Sequence, residues 1–208
     1  HRLDKDTGGL LVVARHESAL HALGAQFQRR EVEKRYVAVV HGRPERDTGR
    51  VAAPIGRSRH DRKKMSARAP RGREALTEYE VVERYDGAAL LRVRIATGRT
   101  HQIRVHMAHI GHPVAGDVVY GKPPLDHALA AACGVAPSRQ MLHAERLTFR
   151  HPRTGQTMTF EAPWPPDLDA LVDALRRGSM TATGIARAAT APAARPGGAQ
   201  RRRTHGSS

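Results

Sequence analysis

Two β-type runs separated by three turn residues restrict this chain more than any other feature. Glu74 to Arg84 and Ala88 to Ala96 both carry branched and aromatic residues, with Tyr85-Asp86-Gly87 between them. So short a connection joins strands only as an antiparallel pair, because a parallel crossover needs a dozen residues or more. In the second run Leu91, Val93 and Ile95 share one face and Arg92 and Arg94 the other. The reading is an antiparallel meander, apolar on one side and polar or partner-facing on the other.

Other stretches add to it. Lys34 to Gly42 alternates and is β-branched, which predicts a strand closed by Gly42-Arg43-Pro44. Val51 to Ile55 predicts a shorter strand, and Gly9 to Ala14 (GLLVVA) a buried one. Met141 to Arg150 and Gln156 to Ala162 form a hairpin through Pro152-Arg153-Thr154-Gly155. Glu17 to Arg30 has Ala19, Leu20, Leu23 and Phe27 at helical spacing, with Ser18 as a candidate cap. Arg29, Arg30 and Lys34 gather at its far end, where a solvated helix terminus and a polyanion contact are equal alternatives. Thr100 is placed to cap a helix running to about Ile110 and ended by Gly111; Ile103, Met107 and Ile110 share one face of it, and Arg104 projects elsewhere. Ala128 to Cys133 suggests a short helix, and Asp167 to Arg177, acidic at its start and basic at its end, a final one. From Gly178 onward the chain is Ala, Thr, Gly, Pro and Arg without an acid, which predicts a disordered basic tail over 178–208 ending in Arg201-Arg202-Arg203. The fold class is therefore α+β, a mixed, mainly antiparallel sheet with flanking helices in one domain over 1–177.

Charge narrows the partner. The 208 residues carry a formal net charge of +15, which makes a polyanion such as RNA the natural partner. Aromatics are only 4% of the chain, too few for a broad base-stacking platform. The single cysteine, Cys133, excludes an internal disulfide and multi-cysteine metal sites, and fits a reducing cytoplasm. No apolar run approaches the roughly 20 residues of a membrane span, so no membrane partner is expected.

Three stretches carry candidate chemistry. The first nine residues place Asp4 between Arg2 and Lys5, ahead of Thr7-Gly8-Gly9. Asp before glycines is the composition of a turn, yet nearby cations favour the charged form of a carboxylate and glycine lets backbone approach a ligand. Tyr36 opens the 34–42 strand, either as a core filler or as a site residue. Arg57, Arg59, His60, Arg62, Lys63, Lys64, Arg68, Arg71 and Arg73 share a stretch with one acid, Asp61, and cannot bury themselves. That stretch reads as a long loop or loose hairpin that orders on phosphate, or as a solvated loop. In Thr97 to Gly111, His101, Gln102, Arg104 and His106 crowd the first turns of a helix, a place suited to a phosphate or carboxylate. His106, His109 and His112 do not make a metal site, because their spacing passes a glycine and no carboxylate motif accompanies it.

Taken together, five stretches occur in a telling order: His1-Arg2-Leu3-Asp4; Lys34-Arg35-Tyr36-Val37-Ala38; Gly98-Arg99-Thr100-His101-Gln102-Ile103-Arg104-Val105-His106; Gly111-His112-Pro113 with Gly116-Asp117 and Tyr120; and Leu142-His143-Ala144. The series resembles the RluA family of RNA pseudouridine synthases, most closely the branch that modifies large-subunit ribosomal RNA, over about residues 1 to 176. The resemblance implies the pseudouridine synthase catalytic fold, with RNA lying in a basic cleft. It implies Asp4 as the catalytic aspartate, Tyr36 as the tyrosine packed against the target base, and Arg104 as the basic partner of Asp4. Arg2 takes a place suited to entering the RNA where the uridine has left, and Ile103 and Val105 are supporting apolar residues. RNA contacts are expected from Arg2, Arg57, Arg59, Arg62, Lys63, Lys64, Arg99, His101 and Gln102. Neither cofactor nor metal is implied, the partner is 23S-type ribosomal RNA or a pre-ribosomal particle, and the protein is expected to act as a monomer.

Two departures accompany the resemblance. The family has Thr-Ser-Gly after the aspartate, and this chain has Thr7-Gly8-Gly9, which loses one hydroxyl and predicts altered hydrogen bonding around it. The family also extends upstream of the HRLD motif, where this chain begins, which predicts a sheet lacking its upstream strand and an untethered Asp4. Two other readings compete: a non-catalytic RNA-binding or ribosome-assembly factor, and a glycoside hydrolase using Asp4 and Asp6. The latter needs a carboxylate pair roughly 5 Å apart, a poor match to two residues on opposite sides of one turn.

Overall fold

The computed structural model describes residues 1–59, 61, 64–69 and 71–189. In chain order the elements are β1 (Gly8–Gly9), α1 (Glu17–Gln28), β2 (Glu33–His41), β3 (Thr48–Ala52), β4 (Gly56–Arg57), β5 (Met65–Ser66), β6 (Leu76–Arg84) and β7 (Ala88–Ile95). They continue as α2 (Gln102–His109), α3 (Pro123–Cys133), β8 (Leu142–Arg150), β9 (Thr157–Glu161) and α4 (Pro166–Ala189). Seven strands form one sheet in the order β1-β8-β2-β7-β6-β3, with β9 also on β8. Every pairing is antiparallel except β1 on β8, so the mixed, mainly antiparallel α+β fold stands.

Period-2 alternation explains why the central strands are buried on both faces. In β2, Tyr36, Ala38 and Val40 point to one core with Ile103 and Met107 of α2. Val37 and Val39 point to a second core with Leu129 of α3 and Leu168, Leu171, Val172 and Leu175 of α4. The sheet thus lies between α2 on one face and α3 with α4 on the other. A third cluster joins Leu23 of α1 to Val32, Leu147 and Phe149 beside β8.

The polar face of β7 resolves differently from a partner-facing surface. Ala88 and Leu90 are buried on the α4 side, and beyond them Arg92 pairs with Glu145 at 3.3 Å and Arg94 with Glu78 at 3.4 Å. That face is held by ion pairs, and the cleft described below opens on the opposite, α2 face of the sheet.

Several local expectations are corrected. Only Gly8 and Gly9 of the first apolar run join the sheet; Leu10, Val12 and Ala14 turn inward while Leu11 and Val13 are exposed. Alternation with one dry face, not full burial, is what that run encodes. Neither Ser18 nor Thr100 caps a helix: the N-caps are His16 and His101, and neither side chain makes a capping hydrogen bond. The strand expected at 51–55 is drawn back to Thr48–Ala52, where it pairs with β6. The final helix spans Pro166–Ala189 and so continues past Arg177. The rest of the predicted disordered tail lies outside the described residues. No helix among those residues is long and apolar enough to cross a membrane.

Candidate active site

The segment carrying Asp4 is docked by backbone contacts that glycine makes possible. Gly9 has φ +107°, and a Cβ there would lie 2.3 Å from the Ala144 oxygen, so only glycine lets this chain lie against β8. Asp4 is also tethered, contrary to the expectation above. Gln140 Nε2 donates to the Lys5 carbonyl and the Thr7 hydroxyl, and Arg139 Nη1 donates to the Asp6 carbonyl. Opposite, the β2–β8 pairing carries an irregularity: Arg35 pairs Arg146 but Val37 pairs His143, so two β8 residues face Tyr36. Such bulges re-aim side chains, and Tyr36 lines the same cleft as Asp4.

Arg104, on the first turn of α2, reaches both Asp4 and a residue whose role the sequence reading missed. Its Nη1 lies 3.5 Å from Asp4 Oδ2, while Nε and Nη2 donate to Asp117 Oδ2 and Oδ1 at 2.7 and 2.8 Å. Asp117 also accepts the Val119 and Tyr120 backbone N–H groups at 2.9 and 3.0 Å. The side chains of Arg104 and Asp117 are 4% and 0% exposed, whereas that of Asp4 is 16% exposed. Burial on its own would raise the Asp117 carboxyl; the Arg104 hydrogen bonds, the two backbone donors and the adjacent positive charge outweigh it and hold it below the ordinary value. Arg104 is therefore oriented by Asp117, with one edge left for Asp4. The clue was present in sequence: a lone acid in the apolar loop Val114-Ala115-Gly116-Asp117-Val118-Val119, near an arginine that burial obliges to pair.

Tyr120 completes the frame. Its ring takes the Arg104 guanidinium at 5.2 Å from the centroid, and its hydroxyl accepts the Met65 backbone N–H at 2.9 Å. The same hydroxyl lies 2.8 Å from His101 Nδ1. His101 adopts φ 57°, a left-handed conformation uncommon for a residue with a side chain. Burial, with Arg104 and Arg2 opposing the pull of Asp4, keeps its imidazole below the usual value. Tyr36 is 7% exposed, and burial followed by the Asp4 charge pushes its hydroxyl up to about 12, so it remains a neutral phenol.

Asp4, Tyr36, Arg2, Arg99 and His101 line one cleft of about 600 Å³ with Ile103 and Leu142. Arg104 stands behind Asp4 and is not part of the wall. Arg30, Lys34 and Arg73 add positive charge to the cleft. Crowding bears on Arg99, whose guanidinium is lowered first by burial and then by Arg73 and Arg30.

The remaining expected RNA contacts divide. Arg57, Arg59 and Lys64 belong to the β4–β5 hairpin, are exposed, and do not line the cleft; Arg62 and Lys63 lie outside the described residues. Gln102 is not available for RNA hydrogen bonding. Its amide donates to the Leu76 carbonyl and the Thr77 hydroxyl and accepts from the Thr97 hydroxyl and the Arg99 N–H, which uses the side chain's capacity. His106 is likewise occupied, by Thr77 and the Ala53 carbonyl, each at 2.9 Å. Among the described residues no group of three or more potential ligands is poised to hold a metal.

The serine-to-glycine departure has a visible counterpart. His143 is buried, and neither ring nitrogen has a partner of good hydrogen-bond geometry, although the Ala162 backbone is close. A Cβ on Gly8 would lie 3.0 Å from His143 Nδ1, the place where a serine hydroxyl would be felt.

Fold and site define an α+β domain whose carboxylate is presented in a basic cleft beside a tyrosine and an anchored arginine. The chain belongs to the RNA pseudouridylate synthase family, whose model matches residues 1–109. It is 47% identical over 176 residues to an uncharacterized RNA pseudouridine synthase of Chloroflexus aurantiacus, covering 85% of this chain and 52% of that protein. Ribosomal large subunit pseudouridine synthase D of Nitrosomonas europaea is 48% identical over 176 residues, covering 85% and 50%. The chain thus spans about half the length of the curated relatives it matches. Among solved structures, human RNA pseudouridylate synthase domain containing 1 superposes with a TM-score of 0.67 at 31% identity, covering 85% of this chain and 78% of that one.

Proposed function

We propose that this protein isomerises uridine to pseudouridine in RNA, with large-subunit ribosomal RNA in the cytoplasm as its substrate and Asp4 as its essential carboxylate. The observation that carries the reading is the position of Asp4 on the cleft, beside Tyr36, with one loose contact to an arginine already anchored by Asp117. The relatives named for ribosomal RNA modification support the choice of substrate.

The reaction breaks the N1–C1′ bond, turns the detached uracil and joins C5 to C1′; the C5 proton is released and N1 gains one, so nothing is oxidised or consumed. An ionised carboxylate at this place acts as nucleophile at C1′ or as base toward the sugar, and Arg104 keeps positive charge beside it in either role. The target uridine has to leave its stack, at a cost of a few kcal/mol. Arg2 is placed to fill the gap and Tyr36 to receive the base, its hydroxyl retained as a donor by the raised value. Arg99 and His101 face the same space, and the β4–β5 hairpin adds non-specific attraction that falls with salt.

Asp4→Asn tests the assignment. Pseudouridine formation in ribosomal RNA, followed by carbodiimide-stop sequencing, is expected to fall by on the order of 10⁴-fold or more, with RNA affinity within about twofold of wild type. Product formed at the wild-type rate would remove Asp4 from the chemistry, whereas RNA bound by the wild-type protein without any product would favour a non-catalytic RNA-binding role.

A further inference from the structure

One recessed side chain of the cleft has no task in the scheme above and meets only an aromatic ring in the fold. Lys34 is 7% exposed, and its ammonium stands 5.7 Å from the centroid of the Phe27 ring. Its cationic neighbours along the chain are paired: Arg29 with Glu31 at 2.6 Å, Arg30 with Glu74 at 3.2 Å and Arg35 with Glu33 at 3.3 Å. Among the described residues the Lys34 ammonium has neither an ion pair nor a hydrogen bond, and its nitrogen keeps some surface on the cleft. Burial lowers its pKa, and no neighbouring charge contributes.

An ammonium without a counter-charge is a costly choice for so recessed a position, because partial desolvation opposes folding and a neutral side chain of the same length would avoid it. Its position suggests what it awaits. Lys34 precedes Tyr36 by two residues in β2, so both project from one face of the strand, roughly 7 Å apart, and both line the cleft that holds Asp4. A nucleotide whose base packs on Tyr36 brings its own backbone to that neighbourhood.

We infer that Lys34 is an anion subsite that takes the RNA backbone phosphate adjoining the nucleotide held by Tyr36 and Asp4. The inference rests on the proposed reaction for the identity of that nucleotide. The incoming phosphate supplies the counter-charge that the fold withholds, so the cost of the buried cation is offset only when substrate is present. Surface arginines attract RNA at any register; a recessed lysine rewards only a chain whose phosphate has entered the cleft.

The chain has five lysines, Lys5, Lys34, Lys63, Lys64 and Lys122, so ¹³C-lysine labelling yields few Cε resonances, and Lys34→Met identifies the one of interest. In the free protein Lys34 is expected to titrate below the others. Hexauridylate should raise that titration, and an uncharged methylphosphonate hexamer of the same sequence should not. By fluorescence anisotropy, Lys34→Met is expected to bind hexauridylate roughly tenfold more weakly. It should also melt at the same or a higher temperature, because it loses an unpaired buried charge. A Lys34 resonance that ignores hexauridylate, or that responds equally to the neutral hexamer, overturns the subsite. So does a Lys34→Met protein that is less stable but binds as well as wild type, since that marks a packing role. Pseudouridine formation measured on the same wild-type preparation separates the two readings. A responding Lys34 without product leaves the subsite and removes the reaction, and product with a silent Lys34 does the reverse.

Discussion

The two carboxylates on either side of Arg104 have little in common beyond that arginine. Asp117 is fully buried, bidentate to the guanidinium and bonded to two backbone N–H groups. Asp4 has one contact at 3.5 Å and keeps part of its surface on the cleft. A carboxylate held by four donors is an anchor; an undersupplied one has electron density left for a substrate. The difference teaches that the reactive acid in such a pair is marked by its shortage of partners, and that its neighbour's excess is what makes the shortage tolerable.

Exchanging the roles is the strongest way to break this comparison. Asp117→Asn should cost about 3–5 kcal/mol of stability, because it strips the buried guanidinium of its counter-charge. Asp4→Asn should leave the melting temperature nearly unchanged while abolishing product; equal thermal shifts in the two variants would refute the division. Acid provides a second probe. The Asp117 carboxyl lies lower in the folded protein than its unfolded value of about 3.9. Its contribution is therefore complete above about pH 5 and is lost as pH falls through 4 towards the folded value. Melting followed from pH 6 to pH 2 should show this loss in wild type and a shallower one in Asp117→Asn.

Smaller effects sharpen the frame around Arg104. Tyr120→Phe keeps the ring over the guanidinium but removes the hydroxyl that Met65 and His101 share. It should cost about 1–2 kcal/mol, with faster hydrogen exchange at the Met65 amide, while Arg104 stays anchored. At Gly8 the smallest contrast is expected. Gly8→Ala presses a methyl towards His143 Nδ1, whereas Gly8→Ser offers that nitrogen a hydroxyl. The serine variant should be the more stable of the two by roughly 1 kcal/mol, as read by chemical denaturation.

Much of this was legible in the residues, for identifiable reasons. The strands β2, β6, β7 and β8 run eight or nine residues each and are dense in branched and other apolar residues between turn signals, a pattern that tertiary context seldom overturns. Asp4, Tyr36 and Arg104 stood out because spaced motifs converge on them, and the fold brings the three to one place. What escaped depended on pairing in space. Gly9–Ala14 looks like a buried strand, but only a neighbouring edge decides which residues of an apolar run enter a ladder. Gln102 sits among residues expected to face RNA yet turns its amide to Leu76, Thr77, Thr97 and Arg99. Asp117 belonged to a quoted motif, but its work as the clamp of Arg104 follows from burial, which composition does not disclose. The long basic stretch drew attention to the hairpin, while Arg30 and Lys34, modest in sequence, reach the cleft.

The outer edge of β8 is shared between β1 at His143 and Ala144 and β9 from Arg146 to Arg150. Tyr36 stands on a strand paired along both edges, so its amide exchanges only on opening that approaches global unfolding. The acid, by contrast, leads into a two-residue pairing and can detach while the rest of the sheet persists. Warming should therefore abolish the proposed pseudouridine formation before the protein melts, and cooling should restore it without refolding.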